Sequence, residues 1–230
     1  MWCALAPMSG SSAATPRAPR RGAQVDSGFY VGVTSDSTAW LLWIDPSTQR
    51  GRVYEPYRPL SLCNVRMDSL VQFSTESADG WRYSFIGQQT HDGFAGRLDR
   101  LRATSGRLQD SLAVASRRIP VRLSSALNAV YRDIEATEEH LYGRDLLVLD
   151  GVRELVGIVV TYEGAPLNPR LVMVSRRGDS LFVAWNPSQD PDRARIGHDG
   201  LLFRRGKEMR RAVELTAVLI DRGTGPSSCR

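Results

Sequence analysis

From Gly28 onward the chain is a succession of short apolar runs, each closed by a turn residue, and few folds accept such a pattern. "GFYVGVT", "AWLLWID", "GRVYEPY", "LSLCNV" and "SLVQFS" follow one another, rich in β-branched and aromatic residues and bounded by Gly, Pro, Asp or Ser. Runs of this length and composition are successive antiparallel strands. "WRYSFI" is the clearest of them. Trp81, Tyr83 and Phe85 share one parity, while Arg82 and Ser84 take the other. A pleated strand sends alternate side chains to opposite faces, so the three aromatics face a core.

The turns between the runs carry their own signal. Asp79-Gly80, Asp92-Gly93, Asp150-Gly151 and Asp199-Gly200 all lie beside strand-like runs. Asp-Gly suits a type I′ hairpin, which needs positive φ at both central positions. In two of these turns the pair is preceded by a histidine, His91 and His198. A His-Asp pair can hold a metal or orient a base. The other two turns lack the histidine, so turn geometry accounts for the triplet and no metal or catalytic role is expected of either residue.

The repetition extends further. "LLWID" at Leu41 to Asp45 resembles "LLVLD" at Leu146 to Asp150, and "DSLVQF" from Asp68 resembles "DSLFVA" from Asp179. With the two His-Asp-Gly triplets, these matches run in order at similar offsets, as two related halves would. Between the halves, "SSALNAVYRDIEATEEHLYG" places Leu127, Val130, Tyr131, Ile134 and Leu141 near helical spacing. Ser124 or Ser125 can cap its start, and Gly143 can end it in a left-handed conformation. His140 would then sit near the helix C-terminus, where an imidazolium meets the dipole favourably. In the second half, "VGIVV" and "LVMV" are nearly continuous apolar runs, expected to be buried on both faces.

The expected fold is therefore all-β with one central helix, in two antiparallel β-meander or barrel units. The units span 27–122 and 144–222, the helix 123–143. Residues 1–26 form a disordered lead-in of Ser, Ala, Pro, Gly and Arg, and 223–230 a flexible tail. One large barrel built from both halves is the alternative.

Chemistry is harder to find. Among 30 basic residues only Lys207 is a lysine, a bias typical of genome composition, so arginine clusters say little about phosphate recognition. With no helix-turn-helix or zinc-finger spacing, nucleic acid is not an expected partner. Arg97, Arg100, Arg102, Arg107, Arg117, Arg118 and Arg122 are opposed locally only by Asp99 and Asp110. They form either a solvated face or a docking site for an acidic envelope component, such as acidic lipid or polysaccharide. Cys3, Cys63 and Cys229 lack zinc spacing. Cys63 and Cys229 can pair in an oxidising compartment, or be two unrelated thiols. No run of about 18 apolar residues is present to span a membrane as a helix, and "MWCALAPMSG" is too short and interrupted for a signal-peptide core. No Walker A loop, dinucleotide fingerprint, HExxH or EF-hand spacing occurs, and no serine stands in a G-x-S-x-G or S-x-x-K context. No catalytic residue, metal or cofactor is expected. Trp40, Trp43, Trp81 and Trp185 lie in strands as core fillers, one or two of them placed to line a barrel mouth. Trp81, Tyr83, Phe85 and Trp185 are the candidate ligand-binding residues, for an apolar small molecule.

In the second half, "LVGIVVTYEG", "RLVMVSRRGDSLFVAW" and "GLLFRRG" resemble the β module that follows the catalytic domain in serine β-lactamase-like proteins. "FYVG", "LLWI", "MDSLVQF" and "HDGFAGRL" in the first half are similar to β modules that precede some hydrolase domains. Both halves thus resemble lipocalin-like accessory β domains of exported bacterial hydrolases. The resemblance implies the fold and a periplasmic or extracellular location, and carries over no catalytic residue. It points to a non-catalytic binding or interaction module of the bacterial envelope. A hydrolase with a site assembled from dispersed Asp, Glu and His, or a structural scaffold, are the alternatives. An open cavity lined by aromatics favours binding, a filled interior the scaffold, and a concave cluster of His with two carboxylates the enzyme.

Overall fold

A computed structural model describes residues 27–55, 58–77, 80–137, 140–204 and 206–220. The first eight strands are β1 (Gly28–Thr34), β2 (Ala39–Asp45), β3 (Arg50–Glu55), β4 (Arg58–Met67), β5 (Leu70–Glu76), β6 (Trp81–Gln89), β7 (Gly93–Arg102) and β8 (Leu108–Ile119). They pair in simple up-and-down order, and β8 closes back on β1 through pairs such as Phe29 with Ile119. The next eight are β9 (Ala129–Ala136), β10 (Leu141–Asp150), β11 (Leu155–Pro166), β12 (Arg170–Arg177), β13 (Ser180–Ala184), β14 (Asp192–Ile196), β15 (Gly200–Phe203) and β16 (Glu208–Glu214). They repeat the same order, and β16 closes on β9. The chain is all-β, with two closed antiparallel barrels rather than one large barrel. Closure removes the unpaired edges that an open meander would expose.

Apolar residues sort into three cores. Tyr30, Leu42, Ile44, Phe73, Phe85, Phe94 and Leu98 fill the first barrel. Leu127, Tyr131, Leu146, Val148, Leu181, Val183, Leu201 and Met209 line the second. The third core lies between the barrels, where Phe29, Val31, Leu41 and Trp43 of the first meet Val130, Leu147, Leu149, Ile158 and Val160 of the second. "AWLLWID" is apolar almost throughout because β2 buries both faces: Leu42 and Ile44 point inward, Leu41 and Trp43 toward the second barrel.

The linker is stapled down. Arg122 donates to Asp150 Oδ1 at 2.7 Å and to the carbonyls of Gly151 and Val152 at 2.7 and 2.6 Å. Ser125 donates to Asp150 Oδ2 at 2.6 Å, and the Asn128 side chain bridges the Arg122 carbonyl and the Asp150 amide, both at 2.7 Å.

The central helix is not formed. Residues 129–136 are β9 and the chain from Leu141 is β10. Val130 faces the inter-barrel core and Tyr131 the second barrel's interior. A strand buried on both faces sets apolar residues side by side, and such pairs mimic helical spacing. Gly143 ends nothing. It sits inside β10 at φ +128°, where a Cβ would collide with the Asp133 carbonyl. His140 is exposed at the start of that strand, with no helix dipole beside it. The one described helix is the short α1 (Leu215–Leu219), placed after β16 with Leu215 and Leu219 in the inter-barrel core. "VGIVV" is buried on both faces as expected, but "LVMV" is not: Leu171 and Met173 are 43% and 65% exposed.

The sequence matches fall on corresponding strands, since β2 and β10, and β5 and β13, hold the same places in their barrels. Facing agrees at one match only. Leu41 points between the barrels whereas Leu146 points into the second, and Leu70 is exposed whereas Leu181 is buried. A one-residue shift of register exchanges the two faces of a strand. The His-Asp-Gly turns do correspond. Each joins the sixth strand to the seventh, and each places its Asp carbonyl on an amide of the eighth, Arg118 to Asp92 at 2.6 Å and Arg211 to Asp199 at 2.7 Å.

Candidate functional site

Along β6 the inward parity expected for Trp81, Tyr83 and Phe85 is present, but the three do not form one site. Phe85 is fully buried and stacks on Phe73 with centroids 4.8 Å apart. Phe94 meets both rings, at 5.0 and 5.9 Å, and Tyr30 at 5.4 Å. These four rings occupy the middle of the first barrel, so Phe85 is a core residue. Tyr83 packs edge-on against Trp40 at 6.3 Å. Trp81 lies at the barrel's end beneath Arg102 and Arg100, at 3.8 and 5.0 Å.

Trp185 is elsewhere. It follows β13 at one end of the second barrel, against Phe203 at 5.9 Å, and its indole donates to Asp192 Oδ2 at 2.9 Å. Arg144 of β10 lies over its ring at 5.2 Å. These side chains border a cavity of about 720 Å³ that reaches Met209 inside the barrel and Lys207 at the rim. Period-two alternation puts Arg144 on the inward face with Leu146 and Val148. Its guanidinium is half-buried and makes no ion pair among the described residues. Lys207, in contrast, is held to Asp133 at 2.5 Å. The cavity thus combines aromatic walls with Asp192 and several cations, of which Arg144, Arg193 and Arg204 make no ion pair among the described residues.

A second, larger cleft of about 980 Å³ lies beside the linker, bordered by Trp43, His91, Asp92, Leu123 and Arg153. Two of its arginines are engaged, while His91, Asp92 and Arg153 stand exposed around it. Arg117 pairs with Glu154, and Arg118 donates to the Ser27 carbonyl at 3.0 Å. Ser27 and Ile220, the two limits of the described chain, also line it.

The histidines of the repeated triplets are surface groups, with side chains 98% and 97% exposed, each beside its own Asp. Among the described residues no group of three His, Cys, Asp or Glu is placed to hold a metal. Of the arginines between 97 and 122, Arg97, Arg100, Arg117 and Arg122 are ion-paired, to Asp99, Asp110, Glu154 and Asp150. Cys63 carries a disulfide bond; Cys229 lies outside the described residues.

One buried polar cluster was not foreseen. Asp145 of β10 is fully buried between the barrels and takes a bidentate pair from Arg132 of β9, both contacts 2.8 Å, and a bond from the Tyr162 hydroxyl at 2.9 Å. Burial and the nearby Asp145 charge push the hydroxyls of Tyr54 and Tyr162 far above the usual phenol range. In the sequence only Arg132 falls within the expected helix, 123–143; Arg144, Asp145 and Tyr162 lie in the expected second β unit, where nothing in their spacing marks them as partners. Once β10 is seen as a strand, "RDLLVLD" gives Arg144 to one face and Asp145 to the other.

No protein-family model, curated protein or solved structure matches this chain.

Proposed function

We propose that this chain is a non-catalytic binding module of the bacterial envelope. Its ligand is a small, mainly apolar molecule bearing one acidic group, taken up at the open end of the second barrel. The cavity beside Trp185 carries the reading. Apolar pockets with a few placed polar groups are the usual form of a small-molecule site. Here Trp185, Phe203 and Met209 supply the apolar walls, Arg144 the charge nearest the indole, and Arg193, Arg204 and Lys207 further positive charge around it, with Asp192 engaged by Trp185. A half-buried guanidinium without a carboxylate partner retains most of its attraction for an anion. No histidine lines this cavity; His91 borders the larger cleft beside the linker together with Asp92 and Glu154, which is where the hydrolase reading would have its site. An envelope setting is supported by the resemblance to accessory domains of exported hydrolases and by the disulfide at Cys63, since disulfides persist in oxidising compartments.

Titration with an anilinonaphthalene sulfonate, an apolar fluorophore with one acidic group, tests this. Saturable binding is expected. Trp185→Ala and Arg144→Met should each weaken it about tenfold or more, while Trp81→Ala leaves it unchanged. Binding indifferent to Trp185 and Arg144 would remove the assignment. Turnover of an ester or glycoside substrate, abolished by replacing one Asp, Glu or His, would put the hydrolase in its place.

A further inference from the structure

The wall of the second barrel formed by β12 to β15 contributes no residue to the inter-barrel core. Val172, Val174, Leu181, Val183, Ala194 and Leu201 point inward. Alternation therefore turns Leu171, Met173, Arg177, Phe182, Arg193, Arg195 and Leu202 outward. Register brings them together: Ser175 pairs with Phe182 and Phe182 with Arg193, while Arg177 pairs with Ser180, Ser180 with Arg195, and Arg195 with Leu202. Arg177 and Arg193 flank the Phe182 ring at 5.4 and 6.0 Å.

Two features of this wall need explaining. Leu171, Met173 and Leu202 remain exposed, Met173 to 65%. Arg177, Arg193, Arg195 and Arg204 are also exposed, and none is ion-paired to a carboxylate among the described residues. The exposed acids nearby are Asp179 in the β12–β13 turn, Asp190 and Asp192 where β14 begins, Asp199 in the β14–β15 turn and Glu208 opposite Leu202, and none of them forms an ion pair with these four arginines. Arginines crowded on neighbouring strands repel one another, so an acidic surface laid against them relieves a cost that water only screens.

We propose that this wall docks onto an acidic lipid bilayer. Interfacial binding sums buried apolar area and attraction to anionic headgroups, and this wall offers both on the same strands. Single-stranded nucleic acid is the poorer fit. Bases stack on open aromatic faces, whereas the exposed apolar groups here are aliphatic or thioether and Phe182 is already flanked by arginines. The proposal is independent of the cavity, because Met173, Arg177, Arg195 and Leu202 do not line it. Phe182, Arg193 and Arg204 border both, so a ligand leaving the bilayer would meet the cavity next.

Sedimentation of the full chain with phosphatidylcholine vesicles, with and without phosphatidylserine, tests it. Binding is expected only with the acidic lipid, and weakens as salt is raised. Each arginine near an anionic surface is worth roughly fivefold in partitioning. Arg177→Glu with Arg195→Glu should therefore lose at least about twentyfold, and Arg177→Gln with Arg195→Gln somewhat less. Met173→Ser with Leu202→Ser should weaken binding and leave its salt dependence in place. Trp185→Ala should keep vesicle binding intact, which separates this wall from the cavity. Equal binding to neutral vesicles, binding untouched by the arginine variants while they keep the native melting temperature, or retention by single-stranded oligonucleotide in preference to acidic vesicles would each overturn the proposal.

Discussion

Gly93 and Gly200 are needed for space. Neither has positive φ, unlike Gly80 at +81°. A Cβ at Gly93 would fall on the Ser116 carbonyl oxygen, and one at Gly200 on that of Met209. Alanine at either position should cost roughly 1–3 kcal/mol, the usual penalty for overpacking, as measured by urea unfolding. His91→Ala and His198→Ala should change stability by less than about 0.5 kcal/mol, the ordinary range for surface residues. Asp-Gly marks these turns, but not as the type I′ hairpins expected, since none of Asp92, Asp199 and their glycines has positive φ; the glycine is required by a carbonyl on another strand, which the local sequence does not show. Two other turns carry a titratable lock. At Asp36 and Asp45 burial opposes ionisation, but bonds from Thr34 and Thr38, and from Ser47 and Thr48, outweigh it and hold both carboxyls below the usual carboxylate range. A carboxyl depressed in the folded state contributes stability above its unfolded value and loses it as pH falls through the folded one. Melting temperature should drop below about pH 4, and Asp36→Asn with Asp45→Asn should make that drop shallower.

At the scale of elements, the β9–β10–β11 wall holds the barrels together. Its outer face is apolar except where Asp145, Arg132 and Tyr162 meet. Removing one partner of a buried pair leaves a stranded charge. Asp145→Ala should cost about 3 kcal/mol, the low end for such a break because Arg132 keeps partial access to water. A loss below about 1 kcal/mol in urea unfolding would show the cluster to be dispensable. The raised Tyr54 and Tyr162 hydroxyls set an alkaline limit. Groups whose folded value lies above the unfolded one contribute fully below the unfolded value and lose that contribution as pH rises. Stability should decline above about pH 10, and less steeply in Tyr162→Phe. This wall was also the least readable part of the sequence. In "WRYSFI" one face meets the core and alternation is plain. In β9, Val130 and Tyr131 are both buried on opposite faces, and no period of two survives. The one helix among the described residues is a turn and a half within "ELTAVLI", too short to impose its own period.

For the molecule as a whole, the shared core makes the two barrels one folding unit. Phe29, Leu41 and Trp43 of the first barrel are buried by Leu147, Leu149 and Ile158 of the second. Separating them would expose side chains worth about 1.5–3 kcal/mol each. Calorimetry should record a single transition; two resolved transitions would mean that the barrels hold independently. Within that unit the barrels differ in their interiors. The first is occupied by Tyr30, Phe73, Phe85 and Phe94, while the second opens beside Trp185. The filled interior was foreshadowed by the aromatics of β6. Of the open one only Trp185 is legible, as a candidate for a barrel mouth; Arg144 and Phe203 are not, because they converge on it from strands far apart in sequence. Methyl-resolved NMR during titration with the anilinonaphthalene sulfonate tests this division most directly. Shifts are expected at Met209, Leu201 and Val183 of the second barrel, with Leu42, Ile44, Val71 and Leu98 of the first unmoved. Shifts centred on the first barrel's methyls, or none in either interior at saturation, would contradict it.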